Sequence, residues 1–217
     1  EPGVTVVAGS SADTVRLIRR DDALVVAAPE RHLAAFETDR EALAGADLPA
    51  TETVDRVLGA DAGGVDAVYG PYSLGYVDEG AFSPTDSDAR LLVGADKPAF
   101  ERLHERVPED DWERASPVFR PGQTAGLFRD DELVAVATLT HLPFPDVGVV
   151  VDPERRGRGY GRAVVSAITA AAFRIDAEAV VRYRTHESAA ASVALAASLG
   201  YERWGRSAVL VVDQGSP

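Results

Sequence analysis

Val151-Asp152-Pro153-Glu154-Arg155-Arg156-Gly157-Arg158-Gly159-Tyr160-Gly161 joins an apolar run, Val147-Gly148-Val149-Val150-Val151, to a helix-patterned stretch from Arg162 to Phe173. A strand, a glycine-rich turn and a helix in that order make an anion site. Backbone N–H groups in a helix's first turn have no intrahelical partner and lie at the positive end of the macrodipole, so they bind phosphate oxygens. Gly157, Gly159 and Gly161 lack Cβ atoms, which lets a bulky pyrophosphate come close to the backbone and permits positive φ where the turn needs it. Arg156 and Arg158 add charged donors at the rim, and Tyr160, between Gly159 and Gly161, is counted with the loop's ligand-binding residues. The helix is supported independently: Val164, Val165, Ile168, Ala171 and Ala172 recur at three- and four-residue steps and form one buried stripe.

Two other phosphate loops are excluded. The dinucleotide fingerprint counted from Gly157 needs glycine where Arg162 stands, and the mononucleotide loop needs Gly-Lys-Ser/Thr, whereas Lys97 is the only lysine. What remains is Arg-x-x-Gly-x-Gly, here Arg156, Gly159 and Gly161, preceded by Val-x-Pro. It resembles the acyl-CoA pyrophosphate loop of the GNAT superfamily of N-acetyltransferases. Downstream the resemblance continues: Ala179 to Arg184 reads as a strand, Ser188 to Leu199 as a helix, Gly200-Tyr201 as its stop and Ala208 to Val212 as a last strand. The fold so implied is α/β (α+β): a mixed, mostly antiparallel sheet with a splayed parallel strand pair, flanked by helices, plus an N-terminal α/β extension.

Composition agrees with this. A chain of 217 residues holds one large domain or two small ones and needs no covalent staples. With no cysteine, disulfides, thiolate nucleophiles and cysteine-ligated metals are excluded, and His32, His104, His141 and His186 show no metal spacing, so no metal is expected. No apolar run approaches the roughly 18 residues of a membrane span. Because the sequence starts at Glu1 without methionine, an initiator or leader is read as lost, with no signal-peptide pattern surviving; the cytoplasm is the default expectation.

Thirty-five acidic residues against 21 arginines and one lysine give a net charge of −13. Such a surface repels nucleic acid and anionic membranes at low salt, so neither is an expected partner. The basic cluster Arg155, Arg156, Arg158 and Arg162 coincides with the anion loop and does not suggest RNA contact. A lysine-poor, Asp-rich surface points to salt adaptation, with GC-rich coding as the competing explanation and an acidic face for cationic amines as the third.

Along the chain, residues 89 to 217 are read as the GNAT-like domain. Its elements are a first strand Arg90–Val93, helices Asp96–Arg106 and Pro108–Arg114, and a hairpin, Thr124–Phe128 with Leu133–Leu139, around Arg129-Asp130-Asp131-Glu132. Residues 1 to 88 are an α/β region with an acceptor-site or assembly role, leaving homodimerisation open. There Val4–Ala8 and Leu24–Ala28 read as strands, Ala12–Arg20 and Pro29–Ala44 as helices, and Gly70-Pro71-Tyr72-Ser73 as a turn between Val65–Tyr69 and Leu74–Val77.

The resemblance implies direct acetyl transfer from acetyl-CoA, the expected cosubstrate, to a primary amine of a small molecule or a protein. Pantetheine would lie between the Val147–Val151 and Ala179–Arg184 strands, with backbone N–H groups of Val149, Val150 and Val151 near the thioester. Because an alkylamine of pKa near 10.4 is only about one part in a thousand neutral at pH 7.4, a general base or a water relay is expected. Family position makes Asp146 the first candidate, His141 the second and Glu187 a distant third. Each has a competing reading: a strand-end charge, an edge histidine and a helix N-terminal acid. The family's thiolate-protonating tyrosine corresponds to Ala196 and its helix asparagine to Ala189, while Ser192, one turn before Ala196, keeps a hydroxyl that either donates a proton or merely packs. These departures keep a second function open, a non-catalytic acyl-CoA-binding or scaffold protein.

Overall fold

The computed structural model describes residues 3–59, 64–140 and 145–212. In chain order the first elements are strands β1 (Gly3–Ala8), β2 (Thr14–Arg20) and β3 (Ala23–Ala28), helices α1 (Leu33–Thr38), α2 (Arg40–Ala44) and α3 (Thr51–Leu58), and strand β4 (Val65–Val77). Then come β5 (Arg90–Leu91), α4 (Lys97–Arg106), α5 (Glu109–Ala115), β6 (Thr124–Arg129), β7 (Glu132–Thr140) and β8 (Asp146–Val151). The chain continues with α6 (Tyr160–Ile175), β9 (Val181–His186), α7 (Ala190–Ser198) and β10 (Glu202–Val212).

Two compact units result. One comprises Glu1–Leu74, Thr185–Ala189 and Trp204–Pro217, the other Gly75–Arg184 and Ala190–Arg203. These bounds differ from an 88/89 division because the end of the chain belongs with its beginning: β10 pairs antiparallel with β2, Val209 opposite Arg16 and Leu210 opposite Val15.

In the first unit the strand order is β1-β3-β2-β10, with β1 parallel to β3 and the other pairs antiparallel. Val15, Leu17, Leu24 and Val26 alternate onto one face and form a core with Phe36 and Leu43 of the helices and with Val54. Residues Ala12–Arg20, expected as a helix, supply strand β2. The reason is visible in its burial: Val15 and Leu17 are fully enclosed while Arg16 between them is exposed, a period of two that a sheet satisfies and a helix does not. The single helix expected from Pro29 to Ala44 is instead a 3-10 turn, Glu30–His32, followed by α1 and α2, and α3 went unread. Gly70 to Ser73, expected as a turn, lies inside β4. Neighbouring groups use its carbonyls: the Glu187 N–H donates to the Pro71 carbonyl and His186 Nε2 to the Gly70 carbonyl, each at 3.0 Å.

In the second unit the order is β9-β8-β7-β6-β5, antiparallel except for β8 with β9. Helix α6 covers one face through Val164, Val165, Ile168 and Phe173, packed against Ala135, Ala137 and Val147. Helices α4 and α5 cover the other through Phe100, Leu103 and Trp112, against Val136 and Val150. The β6–β7 hairpin turns at Asp130 and Asp131, both at positive φ (53° and 63°), the backbone that matches the strands' right-handed twist. Strand β5 is shorter than expected because the Val93 N–H leaves the ladder for the Asp96 carboxylate at 2.7 Å. The mixed, mostly antiparallel sheet with one parallel pair and flanking helices is the fold class expected from the sequence.

Candidate functional site

The loop after β8 is fastened at its start. Asp152 is 5 % exposed; its Oδ1 accepts the Glu154 N–H at 3.1 Å and its Oδ2 accepts from Arg106 Nε of α4 at 2.8 Å. Beyond this anchor Gly157 and Gly159 both take left-handed backbone, φ 76° and 77°, and α6 starts at Tyr160 with Gly159 as an N-cap that offers no side-chain acceptor. The first-turn N–H groups of a 16-residue helix are thus open to an external anion. Gly161 is a glycine for another reason: a Cβ there would meet Leu195 Cδ1 at 3.0 Å and Val151 Cγ2 at 3.3 Å, so α6, α7 and β8 come together at this point.

The four arginines of the loop divide by role. Arg156 is committed to the protein: its NH2 donates to Asp111 Oδ2 of α5 at 2.7 Å, and this hydrogen bond is the leading reason that the Asp111 carboxyl is held below its ordinary value. Arg155 faces Asp130 and Glu132, both at 3.7 Å, and Arg162 donates to the Ser198 carbonyl at 3.3 Å. Arg158 is exposed and has no ion pair among the described residues. Arg129 stands over the Tyr160 ring at 5.4 Å. Sequence reasoning put Arg156 and Arg158 on one footing; nothing in the Glu109-Asp110-Asp111 run marks Asp111 as the partner that separates them.

Among the described residues strands β8 and β9 share one ladder position, Asp146 with Arg182, where the Arg182 N–H donates to the Pro145 carbonyl at 2.7 Å. After it the strands part. The Asp152 N–H donates to the Val134 carbonyl of β7 at 2.9 Å, and residues 146 to 151 pair in unbroken register with β7. Alternation therefore directs the Val150 N–H toward β7 and those of Val149 and Val151 toward the gap that β9 has left. Of the three valines named as backbone donors, Val149 and Val151 face the gap, while Val150 is spent on the ladder and buries its side chain against α4 and α5.

Asp146 sits where the gap begins. Its Oδ2 accepts from Arg182 NH2 at 3.0 Å and lies 3.9 Å from Arg184 Nε, whereas Oδ1 is buried with no hydrogen-bond partner among the described residues. Burial disfavours the charged Arg182, but the Asp146 hydrogen bond and charge, with Tyr76, outweigh it and leave Arg182 above its ordinary value. Ser192 of α7 meets a group that the sequence reading missed: its Oγ lies 2.8 Å from the Tyr183 hydroxyl of β9. The period of two along Val181-Arg182-Tyr183 was the available signal, since it puts Tyr183 on the inward face with Val181. Glu187 belongs to the first unit, where Arg206 takes both its oxygens at 2.8 and 2.9 Å. His141 lies outside the described residues.

The sequence model of the acetyltransferase (GNAT) family matches residues 90–201, more than half of the chain. The chain belongs to that family. Solved structures agree at the level of fold. A GNAT-family acetyltransferase structure from Novosphingobium aromaticivorans is 23 % identical, with 70 % of this chain and 67 % of that one aligned at a TM-score of 0.52. A GCN5-related N-acetyltransferase from Sphaerobacter thermophilus is 14 % identical over 94 % of this chain and 78 % of its own, at 0.53. One from Kribbella flavida is 20 % identical over 69 % of this chain at 0.50, and there the aligned part is only 60 % of the other chain's length. No curated protein matches. Acyl transfer is the chemistry of the GNAT family, and the site described here carries its glycine loop in the family's strand–loop–helix setting. Among the described residues no helix is long and apolar enough to cross a membrane.

Proposed function

We propose that the protein transfers the acetyl group of acetyl-CoA to a primary amine by direct attack. The observation that carries the reading is the pairing of an uncapped α6 N-terminus behind Gly157 and Gly159 with a β8 strand whose Val149 and Val151 N–H groups face the gap beside β9. The α6 N–H groups and Arg158 would hold the pyrophosphate. The Val149 and Val151 N–H groups would lie along pantetheine and support the oxyanion as the nitrogen adds to the thioester carbonyl. As the C–S bond breaks, sulfur leaves with the electron pair, and Ser192 would donate a hydrogen bond to it. The amine proton passes to Asp146, whose Oδ1 is the oxygen not taken by arginine.

Thiol release from acetyl-CoA with a panel of amines, run at low and multimolar salt beside calorimetric binding of acetyl-CoA, tests the reading. Amine-dependent release is the expected result. Tight binding without release from any amine would support instead the non-catalytic acyl-CoA-binding alternative that Ala196 and Ala189 motivate.

The role of Asp146 has its own test. Asp146→Asn is expected to lower kcat about 100-fold at neutral pH, within the usual range for a lost general base, and to recover as pH approaches the amine's own pKa. A rate profile parallel to the wild type's rejects the role. Melting curves run alongside, because neutralising one partner of the Asp146–Arg182 pair also weakens the fold.

A further inference from the structure

The family's usual phenol on the helix is absent at Ala196, yet a phenol stands beside Ser192. We infer that Tyr183 is a positioning residue for the leaving-group step, its hydroxyl donating to Ser192 Oγ at 2.8 Å so that the serine's own O–H is left to meet the departing sulfur. This assignment rests on the transfer reading above.

Three observations carry it. First, a helical serine ordinarily donates to a carbonyl one turn back, and Ser198 of the same helix does so, to Leu195 at 2.7 Å. Ser192 is turned instead to a side chain on another element. Second, Tyr183 is 2 % exposed and held on its flank by Tyr201, ring centroids 5.6 Å apart, while Tyr201 is itself tied to Thr169 of α6 at 2.6 Å. The phenol cannot swing away, so the hydroxyl it addresses is fixed with it. Third, the pair lies beside the point where β8 and β9 part, the gap that the transfer reading gives to pantetheine. Tyr183 is the residue after Arg182, the last position at which β9 touches β8, and Ser192 precedes by one helical turn Leu195, which meets Gly161 and lies close to Val151 through it. Burial pushes the Tyr183 hydroxyl above its ordinary value, so it stays protonated and keeps donating through neutral and mildly alkaline pH.

The test separates this role from simple packing of two hydroxyls. Wild type, Ser192→Ala, Tyr183→Phe and the double variant are compared in two readouts: kcat and KM for thiol release from acetyl-CoA, and the affinity for CoA relative to desulfo-CoA, which lacks the sulfur. Each single variant is expected to lose about tenfold in kcat with KM for acetyl-CoA within about twofold, the size of one hydrogen bond, and the double variant is expected to lose no more than either single. The preference for CoA over desulfo-CoA should fall equally in all three. If Tyr183→Phe keeps that preference while Ser192→Ala loses it, or if the two losses in kcat multiply, the positioning role is overturned while transfer stands. If no amine supports release but the preference for the thiol falls equally in both variants, the transfer reading fails and the positioning of Ser192 survives. A wild type that does not distinguish CoA from desulfo-CoA overturns the role outright.

Discussion

Gly159→Val is expected to weaken acetyl-CoA binding roughly 30- to 150-fold, the equivalent of about 2–3 kcal/mol, in a protein that still folds. The two costs of the substitution fall on different equilibria. Gly159 has φ 77° and ψ 3°, a region that a β-branched side chain enters only with strain of about 1–3 kcal/mol. That strain is present with and without ligand, so it lowers the melting temperature and leaves affinity alone. In the free protein the added Cβ meets nothing within 4 Å, so no clash adds to it. When pyrophosphate approaches, the same open space must accept oxygen atoms close to the first-turn N–H groups of α6, and the new side chain stands in it. Calorimetric titration with acetyl-CoA reads the second effect and a melting curve the first. An affinity within threefold of wild type, with the variant folded, would show that the loop does not hold the phosphates.

That loop was the most legible part of the sequence because its constraints are local. Glycines that need left-handed backbone, a strand before them and a 3.6-residue apolar period after them are each written in consecutive residues, and Gly157, Gly159 and α6 stand where those signals put them. The hairpin at Asp130-Asp131 and the strands β8 and β9 were legible for the same reason. What failed was set by distant partners. Ala12 to Arg20 contains apolar residues at spacings that fit both periods, and the decision for a strand came from β3 on one side and β10, nearly 200 residues away, on the other. Gly70 to Ser73 has the composition of a turn, but it lies within β4, where His186 and Glu187 donate to the Gly70 and Pro71 carbonyls.

Within the site the same division holds. Backbone donors follow from strand alternation once one ladder bond is known, so Val149 and Val151 could be separated from Val150 only after Asp152 was seen to pair with Val134. Side-chain pairs that join separate elements, Arg156 with Asp111 and Ser192 with Tyr183, leave no spacing signal for the pairing itself; the period of two along β9 marks only that Tyr183 faces inward. The missing helix phenol at Ala196 looked like a lost function when read along α7 alone. In three dimensions a hydroxyl from β9 reaches the same helix, so a motif read on one element understates what the fold can place there.

Gly148→Ala is expected to combine a large loss of stability with a loss of turnover, although it adds a single methyl group. A Cβ on Gly148 would lie 2.3 Å from the Ala115 carbonyl oxygen, about 0.7 Å inside the closest approach that real Cβ atoms make. The obstructing atom is backbone at the end of α5, where Ser116 already takes φ 45°, so no rotamer change can relieve it and either α5 or β8 must move. Gly126 is the instructive contrast. Its added Cβ would lie 2.5 Å from Leu92 Cδ2 and 2.8 Å from Leu133 Cδ1, nearly as close, but those are ends of flexible side chains that can turn aside. Overpacking costs about 1–3 kcal/mol, and Gly148→Ala should reach the upper end, a fall of roughly 6–12 °C in melting temperature at about 2–4 °C per kcal/mol, with Gly126→Ala well below it. Activity should part the two further. A shift of β8 carries the Val149 N–H, next in the strand, away from the position it must hold at the thioester, and misplacement on the scale of 1 Å costs on the order of 100-fold. Measured below both melting midpoints, kcat for Gly148→Ala is expected about 100-fold down and that for Gly126→Ala within about threefold of wild type. Equal turnover in the two variants would mean that the position of β8 does not govern the chemistry, and would remove the backbone of that strand from the catalytic site.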